Sequence, residues 1–302
     1  MSPPIVHHPA FRAEMPAGHR FPMDKFARLA AVLEAEGLAG ASGFYSPELV
    51  DVETLRLVHG EAYVRGVLEQ SLDPDVVRRI GLPNSESVAV RARAATGGTL
   101  LAARLALAHG IACNTAGGSH HADADSGAGF CVFNDVAVAA RRLLAEGAIG
   151  KALVVDLDVH QGDGTAKIFA GDPAVFTFSM HAEKNFPARK AASDLDIDLA
   201  DGVGDAEYLR KLAEILPALL ARERPDLVFF NAGVDPHADD KLGRLSLTDD
   251  GLARREAFVL GSCLEAGIPV TGVIGGGYDA DIDRLARRHA ILHRAASEAL
   301  KA

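Results

Sequence analysis

The sequence predicts a single α/β domain with a mostly parallel central sheet and helices on both faces. Three observations carry that expectation. Short apolar runs at 111–114, 152–155, 175–181, 227–233 and 269–274 alternate with longer stretches of helical periodicity, the rhythm of strands joined by crossover helices. A cluster of polar, chemistry-bearing residues follows each run immediately. No linker, repeat or low-complexity segment interrupts the pattern, so residues 1–302 read as one domain.

Taken in order, residues 1–23 are rich in proline and histidine and read as an irregular lead-in, with His7, His8 and His19 as exposed loop residues. From 24 to 37, Phe26, Leu29, Ala30 and Leu33 share one helical face. Residues 55–70 suggest a second helical region. A long alanine- and arginine-rich helix spans 85–109 and stops at Gly110; Gly97 and Gly98 inside it mark close approach to a neighbour. After the run at 111–114 comes a glycine-rich loop holding His120, His121, Asp123 and Asp125, and Asn134 caps the next helix, to about 146. Residues 182–204, full of acids and turn formers, read as a long surface loop. A helix over 205–221 is disturbed by Pro217. Thr248 caps a helix with Asp249 and Asp250 in its first turn, and the last helix runs from about 281 to 300.

Bulk properties narrow the function. The net charge of -10 argues against a general electrostatic hold on nucleic acid or an anionic membrane. It suits cationic substrates. No apolar run is long enough to span a bilayer and no signal pattern opens the chain. Cys113, Cys131 and Cys263 form no framework, which suits a reducing cytosol, and Cys131 reads as a small buried thiol. The expected setting is cytoplasmic.

The stretch 151–164, KALVVDLDVHQGDG, organises the rest. After its buried strand, Asp156, Asp158 and His160 fall at every second position, so neighbours in that series can converge on one point. Read alone, this is a strand ending in a polar turn. Read with Asp235, which follows another strand, it offers two carboxylates and an imidazole to a divalent metal with a coordination position left open. Such a metal acidifies bound water from a pKa of about 15.7 towards about 7. His120 and His121 are acid–base candidates, with Asp156 and Asp163 as their orienting acceptors. Tyr278, after three glycines, can donate its hydroxyl to a carbonyl. His181 and His237 read as wall or supporting residues, and His59, His109, His289 and His293 as structural or solvent-facing.

GGSHHA (117–122), GFCVFND (129–135), DLDVHQGDG (156–164), NAGVDPH (231–237) and GGGY (275–278) resemble the zinc-dependent histone deacetylase superfamily. That superfamily includes acetylpolyamine amidohydrolases and shares the arginase-like three-layer α/β fold. HRFPM (19–23), Gln161 and SDLDIDLADGVGD (193–205) look most like its class IV branch. The resemblance implies zinc at Asp158, His160 and Asp235, where the Asp-His-Asp donor set also suits iron(II), and His120–Asp156 and His121–Asp163 pairs with His121 as principal base and then acid. It implies Tyr278 as the carbonyl-polarising group, and Phe130, Gly129 and Gly276 along an acyl-lysine tunnel. Arg20 resembles an arginine near an internal cavity for released acetate. Structural potassium is implied at backbone oxygens of Asp156, Asp158, His160 and Met180 with the Ser179 side chain. The expected activity is removal of acetyl or longer acyl groups from lysine of a protein or peptide. Small acylated amines are the alternative substrate, and a non-catalytic acyl-lysine binding module the alternative function. A two-manganese ureohydrolase needs more bridging carboxylates than the sequence offers after Asp235.

Overall fold

The computed structural model describes residues 2–40 and 43–301. In chain order these are β1 (Ile5–Val6), a 3-10 turn (Pro9–Phe11), α1 (Lys25–Ala35), α2 (Val52–Leu55), α3 (Glu61–Leu68), α4 (Pro74–Ile80) and α5 (Glu86–His109). Then come β2 (Ile111–Asn114), α6 (Asp135–Ala145), β3 (Ala152–Asp156), α7 (Asp163–Ile168), β4 (Val175–Ala182) and β5 (Leu195–Leu199). The chain ends with α8 (Asp205–Glu223), β6 (Leu227–Asn231), α9 (Asp249–Glu265), β7 (Val270–Val273) and α10 (Ile282–Ala299).

The seven strands form one wholly parallel sheet in the order β1-β2-β7-β6-β3-β4-β5. Strands β2, β3, β6 and β7 are buried throughout, as a sheet covered on both faces requires. Helices α5 and α6 contact one another over one face, while α1, α10, α9 and α8 adjoin in succession over the other. Each Leu or Val buried in the central strands contributes about 1.5–3 kcal/mol of transfer free energy.

The register explains where chemistry can be built. Asn114, Val273, Asn231, Asp156 and Ser179 are successive cross-strand partners, so they form one row across the sheet's C-terminal edge. From β3 the chain proceeds outward to β4 and β5, whereas β6 lies on β3's other side. The strand order therefore switches between β3 and β6, the place where open α/β sheets bind ligands.

Several local expectations need correcting. Residues 182–204 are not one loop: Leu195–Leu199 adds edge strand β5, whose LDIDL alternation is a strand signal hidden among acids. The lead-in contains β1, paired with β2, and His7 is half-buried with Nδ1 2.7 Å from Thr115 Oγ1. The 55–70 region divides into α2 and α3, and α4 and α7 are additional helices. Pro217 lies inside α8, on its exposed face, and the helix continues past it to Glu223. Gly97 and Gly98 do mark close contact: a Cβ would stand 2.0 Å from the Glu48 carbonyl oxygen at one and 2.8 Å from Phe11 at the other. His59, His289 and His293 are buried, and His109 is exposed.

Candidate active site

Asp158 and His160 follow β3, and Asp235 follows its neighbour β6. All three are buried, and one possible ligand atom from each lies within 4.8 Å of the others. His160 Nδ1 is 3.0 Å from Asp158 Oδ1 and 3.1 Å from Asp235 Oδ2. The Gly276 amide donates to Asp158 Oδ2 (2.7 Å) and the Val159 amide to Asp235 Oδ1 (2.9 Å). Asp235 Oδ2 receives no hydrogen bond although it is wholly buried. A Cβ on Gly276 would come within 2.1 Å of that oxygen, so only glycine leaves the space beside it open. Burial pushes the His160 imidazole down, but the two carboxylates prevail and raise it to about 10. Burial and Asp158 together raise Asp235 to about 7. Two buried carboxylates face one imidazole, and a carboxylate oxygen is left without a donor, so the donor set fits a divalent cation that would take the place of the imidazole proton.

His120 and His121 stand beside it on the loop after β2, their rings 4.1 Å apart. Nδ1 of His120 is 2.7 Å from Asp156 Oδ2, and Nδ1 of His121 is 2.8 Å from Asp163 Oδ1. Both Nε2 atoms remain for other work. Burial lowers His120, yet Asp156 and Asp158 raise it to about 9. Burial, then the neighbouring His120 charge, lowers His121 to about 3. Asn231 donates to Asp156 Oδ1 at 3.0 Å, while Lys167 donates to Asp163 Oδ2 at 2.7 Å. Tyr278 flanks the group, its ring 6.4 Å from His160. Burial pushes its hydroxyl well above the ordinary tyrosine range, so it is a donor.

The expected wall residues divide. Phe130 is buried at φ 67°, its ring 5.1 Å from Phe21 and 5.8 Å from Tyr278. Gly129 presses on His121, since a Cβ there would lie 2.6 Å from its Cδ2. Arg20 is exposed above Phe130, 5.0 Å from the ring centroid, and borders an outer cleft with Tyr278 and Leu242. It does not reach the internal space. The cations lining the inner cavity, about 40 Å³ and large enough for a few waters, are Lys25 and Arg91. Lys25 donates to the Gly275 carbonyl at 3.2 Å, and burial lowers it to about 8. Ser179 is paired in register with Asp156, and its Oγ is 2.9 Å from His181 Nδ1; Met180 is buried beside it. His181 and His237 are buried and are not members of the metal triad. Cys131 is a buried thiol.

Sequence reasoning missed Phe186, 47% exposed, whose ring stands edge-on to His121 at 4.8 Å. Its loop is tied down by Gln161, which donates to the Ala191 carbonyl and Asp196 (2.9 Å each) and accepts from the Ala191 amide (2.8 Å). An aromatic beside proline in a polar stretch was the available signal. Lys25 and Arg91 gave none, because both sit in ordinary helical patterns.

The sequence profile of the histone deacetylase domain matches residues 19–293. The chain belongs to the histone deacetylase family. An uncharacterised protein of Picosynechococcus sp. is 52% identical over 295 residues, 98% of both chains. Histone deacetylase 2 of Arabidopsis thaliana is 31% identical over 270 residues, spanning 86% of this chain and 70% of its own. A probable deacetylase of Methanothermobacter thermautotrophicus is 31% identical over 297 residues, spanning 92% and 86%. The solved HDA15 HD domain superposes with a TM-score of 0.83 over 99% of this chain and 90% of its own; at 23% identity it shares the fold.

Proposed function

We propose that this deacetylase-family member is a zinc-dependent amidohydrolase that removes acetyl or longer acyl groups from lysine ε-amines. The observation that carries the reading is a buried Asp158–His160–Asp235 cluster with metal-ligand spacing beside two histidines that are each anchored to an aspartate. When bound there, zinc supplies Lewis acidity for the carbonyl and acidifies water. Asp158, His160 and Asp235 would hold it, and iron(II) suits the same donors.

The chain's own groups then divide the proton work. His121, neutral and fixed through Nδ1 by Asp163, offers Nε2 to take a proton from the attacking water. As the C–N bond breaks, it returns that proton to the departing amine, leaving a carboxylic acid and a free lysine amine, which exchange the second proton in water to become carboxylate and ammonium. His120, held positive by Asp156, stabilises the charge that gathers on the carbonyl oxygen. Tyr278 donates its hydroxyl to the same oxygen. Phe130 and Phe186 wall the acyl-lysine stem, while Gly129 keeps clear of the His121 ring and Gly276 of the Asp158 and Asp235 carboxylates at its end. We assign a structural potassium ion to the oxygens of Asp156, Asp158, His160, Ser179 and Met180, supported by the β3–β4 register that brings Asp156 and Ser179 side by side. A class IV-like enzyme working in the cytoplasm is consistent with three unpaired cysteines. Among the described residues, no helix is long and apolar enough to cross a membrane.

The test is turnover by metal-quantified protein on one lysine peptide carrying acetyl, butyryl, octanoyl or myristoyl groups, with Asp158→Ala as control. Zinc-dependent release that vanishes in the control is the expected result. Zinc bound at one per chain with no release from any peptide would overturn the lysine substrate and turn attention to acetylated polyamines.

A further inference from the structure

Beyond the site, the described residues include a fully buried ion pair that the proposed chemistry does not use. Arg255 and Glu256, adjacent on α9, are both 0% exposed. A buried pair of this kind stabilises a fold no better than apolar residues of the same volume, so its presence asks for another reason. The guanidinium meets Glu256 with two parallel bonds, Nε to Oε2 and Nη2 to Oε1, each 2.7 Å. Its remaining donors leave the helix altogether. Nη1 donates to the Leu157 carbonyl at 3.0 Å, and Nη2 to the Gly233 carbonyl at 2.8 Å.

Those two carbonyls occupy a particular place. Leu157 immediately precedes Asp158, and Gly233 lies two residues before Asp235. Between the two segments, regular pairing of β3 with β6 stops at Asp156 and Asn231, with one further bond from the Leu157 amide to the Asn231 carbonyl at 3.1 Å. Past that point the strands diverge into the loops that carry the metal-ligand candidates. Beyond the site's own contacts (the Val159 amide on Asp235 Oδ1, the His160 ring beside Asp235 Oδ2, and Gly276 between Asp158 and Val234), the Arg255 fork spans the gap from beneath the two loops' backbones. Lysine, a point donor on a flexible stem, cannot hold two carbonyls and a bidentate carboxylate at once.

We infer that Arg255, oriented by Glu256, is a positioning residue: a strut that replaces the missing sheet ladder and fixes the Asp158–His160 loop against the Asp235 loop. The part concerning metal retention rests on the proposed zinc site; the part concerning loop rigidity does not. Arg255→Lys keeps a cation beside Glu256, and the double variant Arg255→Met with Glu256→Met leaves no charge unpaired.

In the zinc-loaded protein, both variants should surrender zinc to a chelator at least about tenfold faster than the wild type. In the metal-free protein, amides of 157–160 and 233–235 should exchange hydrogen about tenfold faster, with core strand β2 unchanged. Wild-type exchange at both segments in Arg255→Lys would overturn the strut, as would unaltered zinc release. Exchange that rises equally in β2 would show a merely structural pair. A wild type that takes up no zinc would contradict the proposed function, and the exchange measurement would still decide the strut.

Discussion

His120 and His121 are neighbours in the chain, and each presents Nδ1 to an aspartate, at 2.7 and 2.8 Å. Their surroundings differ in what else the aspartate meets. Asp156 receives a neutral amide from Asn231 and a backbone N–H from Asp158, so its charge is left for His120. Asp163 also receives the Lys167 ammonium, which takes up part of its charge, and His121 lies against an already positive His120. One histidine therefore holds a proton and the other stays free to accept one. Sequence adjacency sets the reach of the two rings; the partners of their partners set the roles.

The largest expected effect separates the two directly. His121→Ala should cut kcat by about 10,000-fold and His120→Ala by about 100-fold in steady-state assays. Equal losses would erase the distinction. Tyr278→Phe should cost about 100-fold in kcat while bound metal, counted by elemental analysis, stays unchanged.

Stability of the metal-free protein should show the same opposition. Between pH 6.5 and about 9 the folded chain keeps a proton on His120 that the unfolded chain has lost, so stability falls as pH rises. Between about 3 and 6.5 the unfolded chain protonates the His121 position while the folded one does not, so stability falls as pH drops. Urea unfolding across pH should find the alkaline slope reduced, by up to about 1.4 kcal/mol per pH unit, in His120→Gln. His121→Gln should flatten the acid side instead. The smallest effect is Lys167→Met, which frees Asp163 to raise His121 and moves the acid limb of kcat/KM to higher pH by less than about one unit. An unmoved limb would remove Lys167 from the account.

Much of this arrangement was legible in the chain. The runs at 111–114, 152–155, 227–233 and 269–274 are buried on both faces and so are continuously apolar, which is why they declared themselves as strands. Edge strand β5 has one poorly covered face and carries Asp196 and Asp198, so it passed for a loop. The metal and proton-transfer candidates were readable because strand ends place them two residues apart or side by side. Arg20 misled because a motif gives order along the chain and not depth: the buried cations, Lys25 and Arg91, reach the cavity from helices with no local mark. Lys25 meets Gly275 across 250 positions of sequence, a contact no window can contain.

The most direct single measurement is acetate release from an acetyl-lysine peptide while the metal-free protein is titrated with zinc. No turnover is expected without metal, then a linear rise and a plateau at one zinc per chain. Turnover already present in the metal-free protein, or none at the plateau, would contradict zinc-dependent hydrolysis.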